Sequence, residues 1–490
     1  MSAPQAKEKQ TWRDRWIEKD LAFYRQVFLV GLPVAFQQAI NIGVNLMDTV
    51  MVGALGENAL SASSLANQYY YLYYVLCLGI SGGACVLSAQ YWGAGNHRMV
   101  KQVWRLSMYI SGGAALLFAL ATALFPAQIM GIYTNNAEII ALGNRYLQVT
   151  AWVFFFHGTS LIMVNLMRTA GVLYLGLAVS GLSFGSNIFF NYVFIFGKFG
   201  APCLGIAGAA VGTLISRILE FSITFGYLFL GCRQIRFTPR NLVGRLDAAM
   251  LRAFMNTGMP PIISDGMFTV GDNILSVILG HMGVAVVSGQ AITLATMRFC
   301  TAFILGLCNA SSVMVGQAIG RGERAAVERQ SRTFFLLSVA GGLLGGVIIA
   351  VVSPWIVGMY DLSPESRDAT MQMLQAMSLL MVFQSVQSVM SKGVLRGGGD
   401  TRFLMFADLI FMWGLNIPIG YLAGLRWGWS PFWVFVCLKL DTICKSFLCL
   451  WRLVQGRWIK NVNETTWISG GAHHAAASSS AGAEPRTDPL

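Results

Sequence analysis

Apolar stretches of roughly twenty residues or more, parted by short polar segments, run along this chain from near its beginning almost to its end. They fall near 27–52, 62–91, 103–125, 139–167, 172–196 and 204–231, then near 254–280, 286–318, 331–353, 368–395, 402–424 and 430–454. A helix of about 20 apolar residues crosses the hydrocarbon core of a bilayer. In lipid every backbone N–H and C=O must find its partner within the chain, which leaves only helices and closed barrels. The runs are continuous and lack the two-residue alternation of a barrel strand. The expected fold is therefore an all-α integral membrane protein with twelve transmembrane helices. Composition agrees: 55% of residues are hydrophobic and 11% charged, against about 25% charged in soluble domains.

The formal charge of +12 invites a nucleic-acid reading, but its placement opposes it. Lys7, Lys9, Arg13, Arg15, Lys19 and Arg25 precede the first run, and Arg98, Lys101 and Arg105 follow the second. Arg233, Arg236, Arg240, Arg245 and Arg252 fill the central segment, and Arg321, Arg324, Arg329 and Arg332 follow the eighth run. The other side holds Arg145, Lys198, Arg367 and Arg426. This is the positive-inside asymmetry, which puts both termini in the cytoplasm. The basic residues flank helix ends instead of clustering with base-reading side chains, so no nucleic-acid partner is expected. The first 25 residues are polar and basic and the first apolar run is too long for a signal core, so no cleavable signal is expected. The nine cysteines sit mostly inside the runs, without a CxxC spacing, and read as buried thiols.

The chain is also written twice. Shifted by 227 residues against itself, Gly31, Pro33, Gly53 and Gly56 fall on Gly258, Pro260, Gly280 and Gly283, and Gly93 and Gly95 on Gly320 and Gly322. Two similar membrane halves suggest a transporter whose lobes rock about a site between them. The expected architecture is two pseudo-symmetric six-helix lobes, 27–231 and 254–454. A cytoplasmic segment, 1–26, would precede them. A cytoplasmic linker, 232–253, would join them, with a short surface helix around Leu246–Phe254. A cytoplasmic tail, 455–490, rich in Ala, Ser and Gly, would be largely disordered. Gly93-Ala-Gly95 and Gly320-Arg-Gly322 read as tight turns, and Gly208 and Gly212 as a close-packing pair.

The polar chemistry is not repeated. Gln37, Asn41, Asn45 and Asp48 share one face of the first helix, and Asp48 falls opposite Leu275 in the repeat. Ser180, Ser183, Asn187 and Asn191 share a face of the fifth, and the sixth offers Thr213. Asp48, Asn187, Asn191 and Thr213 would make an oxygen-lined pocket with one ionisable member, suited to H⁺ or Na⁺. A hydrogen-bonded packing network is the plainer alternative. In the second half Asp265 and Asp272 share a face of the seventh helix, and Arg298 on the eighth lies at a depth between them. They form either a second ion site or a self-neutralising pair. Arg217 and Glu220 read as an internal pair, and Asp408, Lys439, Asp441 and Lys445 are further embedded charges; Lys439 and Asp441 cannot face each other on one helix, so their partners must be elsewhere. Tyr71, Phe155, Gln290 and Gln384 are the candidate lining of a substrate cleft, with core packing the commoner role for aromatics. Gly181-Leu-Ser183-Phe-Gly185 matches a nucleophile motif but lies within an apolar helix, without the strand the motif needs. No P-loop or dinucleotide fingerprint occurs, which leaves an ion gradient as the energy source.

Several segments resemble one transporter family. Met47-Asp48-Thr49-Val50-Met51-Val52-Gly53, followed by Leu55-Gly56, resembles the first-helix signature of the multidrug and toxic compound extrusion (MATE) family. Gln90-Tyr-Trp-Gly93-Ala-Gly95 resembles its second-helix ending, Pro202 to Thr213 its sixth-helix start, and Leu395-Arg396-Gly-Gly-Gly-Asp400-Thr401 its loop after the tenth helix. The resemblance spans about residues 20–455. It implies two lobes around a cleft open to one side at a time, exchanging Na⁺ or H⁺ for organic, often cationic, drugs. It assigns the essential first-helix aspartate to Asp48 and the remainder of the cation site to Asn187, Asn191 and Thr213. Two departures concern the second lobe: the seventh-helix Glu of many relatives falls near Phe268, and a tenth-helix Asp of some falls near Ser385.

The expected function is thus a cation-coupled antiporter exporting small organic substrates across a bacterial inner membrane. It would be a monomer in the lipid bilayer, with no cofactor, no metal beyond a possible Na⁺ at Asp48 and no enzymatic activity. A lipid-linked precursor flippase of the related superfamily is the alternative, and would need extra helices and a strongly cationic cleft. An ion channel or receptor is a rival of another class, and would conduct without stoichiometric exchange.

Overall fold

The computed structural model describes residues 16–232, 234–244, 247–360 and 362–460. Among these the regular structure is helical. The first half contains α1 (Leu21–Gly53), α2 (Glu57–Gly93), α3 (His97–Leu124), a short α4 (Pro126–Tyr133), α5 (Ala137–Thr150), α6 (Val153–Thr169), α7 (Leu175–Phe196) and α8 (Ile206–Gly231). The second contains α9 (Ala248–His281), α10 (Val284–Gly320), α11 (Arg324–Gly358), α12 (Pro364–Leu395), α13 (Thr401–Arg426), α14 (Pro431–Cys437) and α15 (Leu440–Gln455).

The repeat holds to the residue through four spans. Leu21 and Ala248, Glu57 and Val284, His97 and Arg324, and Ala137 and Pro364 open matching helices at the spacing read from the glycines. The local chemistry that starts and stops them is repeated too. Asp20 and Asp247 cap α1 and α9, each side chain accepting a bond from the backbone N–H two residues on. Gly56 and Gly283 precede α2 and α10 with φ of +105° and +112°, and Gly95 and Gly322 turn the chain after them with φ of +71° and +76°. Side chains rarely adopt these angles, so glycine at these turns follows from the backbone.

Among the described residues, ten helical runs are each long and apolar enough to cross a membrane. The expected helix at 139–167 is instead α5 and α6, bent by 53° at Ala151–Trp152, and the pair makes the eleventh span. The expected helix at 430–454 is also broken. It runs as α14 and α15, parted at Leu438 and Lys439. A break inside lipid frees backbone groups that need new partners. Asn416 of α13 supplies them: its amide donates to the Leu438 carbonyl (3.2 Å) and accepts from the Asp441 N–H (2.8 Å). The molecule is thus a twelve-span bundle of two six-helix lobes.

Among the described residues, Asp247–Phe254 forms no separate surface helix, because Ala248 already begins α9. The chain ahead of α1 is packed: Glu18 pairs with Arg329 of α11 (2.6 Å), its N–H donates to Thr333, and Trp16 lies edge-on to Phe335. Of the segment from 455, the described part is packed: Trp458 is fully buried and Lys460 pairs with Asp400 (2.5 Å). Residues 1–15 and 461–490, which hold Lys7, Lys9, Arg13, Arg15 and the expected disordered tail, lie outside the described residues, as do Arg233, Arg245 and Leu246.

The lobes meet through α1 against α10 and α2 against α9 and α10. These contacts gather in the half of the molecule nearer the termini, which is also the half with the arginine-rich loops. Glycine makes them possible. A Cβ on Gly31 or Gly306 would press on the other's backbone, one on Gly83 would meet Gly258, and those on Gly93 and Gly320 would strike the carbonyls of Gln317 and Gln90. Side-chain bonds cross the same seam: Gln317 donates to the Thr169 carbonyl (2.8 Å), and Gln90 to the carbonyls of Gly397 (3.3 Å) and Lys460 (3.2 Å).

Candidate functional site in the first lobe

Three spans build a polar pocket inside the first lobe. Asp48 comes from α1, Asn187 and Asn191 from adjacent turns of α7, and Thr213 from α8. Close packing of α7 on α8 brings them together. A Cβ on Gly208 would collide with the Phe194 carbonyl, and one on Gly212 with the Asn191 side chain. The close-packing pair read from the sequence therefore sets the distance between two walls of the site.

The four residues form one hydrogen-bonded chain. Thr213 Oγ1 accepts from the Asn187 amide (3.3 Å), Asn187 Oδ1 accepts from the Asn191 amide (3.3 Å), and that amide also donates to Asp48 Oδ1 (2.6 Å). Asn187 and Asn191 are buried. Asn191 Oδ1 is buried and receives no hydrogen bond, although buried polar atoms are rarely left unmatched. The pocket therefore offers a carboxylate and an unfilled acceptor oxygen side by side. Tyr146 of α5 stands nearby and donates weakly to Asn67 (3.5 Å). One turn beyond Thr213, Arg217 pairs with Glu220 (2.6 Å), as their spacing suggested.

The remaining polar residues of the first-helix stripe do not join this pocket. Gln37 accepts from Arg168 (2.9 Å), whose other amino group donates to Asn309 of α10 (3.0 Å). Arg168 is 5% exposed, so a buried guanidinium bridges the two lobes through neutral partners. Sequence reasoning missed it because it lies just past the end of the expected fourth helix. Asn41 and Asn45 make no side-chain bond to Asp48, and Asn45 is exposed.

In the second lobe the expected trio is not one group. Asp265 pairs with Arg396 (3.1 Å) and Lys392 (3.4 Å) of α12, and Asp272 with Lys439 (3.7 Å). Arg298 is exposed and joins no ion pair among the described residues. The two aspartates instead pair with different neighbours. The suggested cleft residues also stay apart. Tyr71 packs on Tyr74, Phe155 on Phe156 and Phe221, Gln290 donates to Ser276 (3.1 Å) and Gln384 to Ser388 (3.3 Å). A further aromatic cluster was not anticipated: Tyr70 is hydrogen-bonded to His157, and the His157 ring stacks between Tyr70 and Tyr74.

A family model, MatE, matches residues 33–193 and 260–422, one copy in each half. The chain belongs to the MATE family. It is a multi-pass membrane transporter of the multidrug-efflux type and not an enzyme. It is 25% identical over 441 residues to a probable multidrug resistance protein NorM of Thermotoga maritima, covering 89% of this chain and 93% of that one. A probable NorM of Rhizobium meliloti is 27% identical over 448 residues, with 88% and 93% covered. Among solved structures, the Vibrio cholerae MATE transporter VcmN in its bent form has a TM-score of 0.80 at 17% identity, covering 89% of this chain and 97% of that one. An outward-facing multidrug resistance MATE transporter matches equally well, at a TM-score of 0.80 and 17% identity over 90% and 99%. At that identity the match speaks for the fold.

Proposed function

We propose that this MATE transporter is a secondary antiporter of the bacterial inner membrane that exports small organic, often cationic, compounds in exchange for H⁺ or Na⁺. The observation that carries the reading is the Asp48 carboxylate beside the unfilled Asn191 oxygen, within a pocket otherwise lined by amide and hydroxyl oxygens. A proton or a hard monovalent cation suits that donor set, and an intramembrane carboxylate is costly to keep without a use. The organisms of the relatives are bacteria, which supports the location. The arginine-rich loops support placing the termini and the closed end of the lobes in the cytoplasm. The cleft then opens outward, the state in which substrate is released. One chain supplies both lobes, so a monomer suffices.

Exchange follows if ion and substrate favour opposite states. An ion moves the equilibrium only by its difference in affinity between them. The cation at Asp48 would favour the outward-releasing state and give way to substrate as the cytoplasmic end opens. Purified protein in liposomes, with ΔpH and ΔNa⁺ imposed separately, tests this directly. A cationic dye should move against its own gradient under at least one of the two. Dye movement that follows only its own gradient under both would overturn the antiport.

A further inference from the structure

The second lobe contains a filled counterpart of the first-lobe pocket. That pocket is built from α1, α7 and α8, the first, fifth and sixth spans of its lobe. In the second lobe the corresponding spans are α9, α13 and α14–α15, and they enclose a buried triad. Lys445 Nζ of α15 lies 2.9 Å from Asp408 Oδ1 of α13 and 3.0 Å from Asp441 Oδ2 of α15. Lys445 is 2% exposed, Asp441 2% and Asp408 8%. The ammonium also lies over the Phe268 ring of α9, 4.9 Å from its centre. The carboxylates have further donors: Ser264 bonds to Asp408, and Asn416 (2.5 Å) and Thr442 (3.4 Å) bond to Asp441.

Two carboxylates and an aromatic face converging on one point make a site for a single positive charge. Here that charge is tethered to the protein. The surroundings carry one net positive charge, since Asp265 faces both Arg396 and Lys392 while Asp272 faces Lys439, and this balances the single net negative charge of the triad. Across the second-lobe interior four carboxylates meet four cationic side chains. In the first-lobe pocket, among the described residues, Asp48 and Glu220 share the single cation Arg217, which is paired to Glu220. The same three spans of each lobe thus gather a polar site, built from different positions, and in the second lobe the protein's own ammonium sits in it.

We infer that the Lys445 ammonium is a built-in cation filling a monovalent-cation site in the second lobe, so that a single mobile ion, held in the first lobe, drives each cycle. This rests on the Asp48 reading above. Removing the lysine should convert the triad into a site for a free cation such as Na⁺, whose oxygen-ligand preference Asp408, Asp441 and Asn416 meet.

The test uses full-length protein in detergent, with Asp48→Asn as the parent. Melting temperature is followed as NaCl replaces choline chloride at constant ionic strength. Adding Lys445→Ala to the parent should create an upward, saturable Na⁺-dependent shift of at least about 2 °C over the parent's own response. A folded double variant that responds to Na⁺ no more than its parent overturns the inference. Should Lys445→Ala not fold, the charge-free variant Lys445→Met/Asp408→Asn/Asp441→Asn serves, with Asp48 intact. It should retain ion-driven efflux within about twofold of wild type, because the triad moves no ion. Loss of gradient-driven efflux in that variant, when folded, also overturns it. An Asp48→Asn protein that still pumps would instead refute the first-lobe reading, and leaves the Lys445 comparison legible.

Discussion

Asn191 is the hinge of the first-lobe pocket. Its amide group fixes the Asp48 carboxylate while its oxygen, fully buried, remains available. Hydrogen bonds to charged groups contribute about 1.5–3 kcal/mol. Asn191→Ala should therefore weaken the coupling ion by roughly 10- to 100-fold, read as the ion concentration for half-maximal dye efflux, with a small effect on substrate affinity. Gly212→Val would drive its side chain into Asn191 and should impair coupling as severely. Lys445 behaves differently: removing one member of a buried ion group leaves an uncompensated charge and costs about 3–5 kcal/mol. Lys445→Met should lower the melting temperature measurably, whereas adding Asp408→Asn and Asp441→Asn should recover most of the loss. The four pocket residues were legible in the sequence because three of them follow helical periodicity. The Lys445 partners were only half legible: Asp441 stands four residues before it on the same helix, a spacing the sequence reading passed over, whereas Asp408 lies on another helix and no spacing encodes that.

At the scale of elements, most spans were legible from length and hydropathy alone, but several helices begin two to seven residues ahead of the apolar runs, where polar caps such as Asp20 and Asp247 start them. The breaks were not legible. The bend at Ala151–Trp152 carries no proline or glycine, and the interruption at Leu438 is tolerated only because Asn416 of another helix satisfies the freed backbone. Glycine also had a second meaning that sequence reasoning did not reach. Gly93 and Gly320 stand at turns, yet what excludes a side chain there is the carbonyl of the opposite lobe. Backbone cannot yield as a flexible side chain can, and overpacking costs about 1–3 kcal/mol. Gly320→Ala should therefore disfavour the state in which the lobes close at the end near the termini. Labels on either side of that seam, measured by electron–electron distance, should show a larger share of separated lobes than in wild type.

On the scale of the whole molecule, each terminal segment grips the opposite half. Trp16 and Glu18 pack on α11, while Lys460 receives a bond from Gln90 of α2. Arg168 adds a buried bridge between Gln37 and Asn309. On the proposed alternating-access reading all three would have to loosen for the lobes to part at that end, with the repeated frame rocking and the unrepeated chemistry deciding when. That division was visible in the sequence as matching glycines beside a mismatched Asp48 and Leu275. The structure adds that the second copy is no blank but holds its own cation. The central claim is that a mobile ion couples through Asp48. The decisive measurement is dye efflux in proteoliposomes under the driving gradient, comparing wild type with Asp48→Asn of equal melting temperature and insertion. Asp48→Asn should fall to the level of protein-free liposomes. Accumulation against the dye gradient at the wild-type rate would contradict the account.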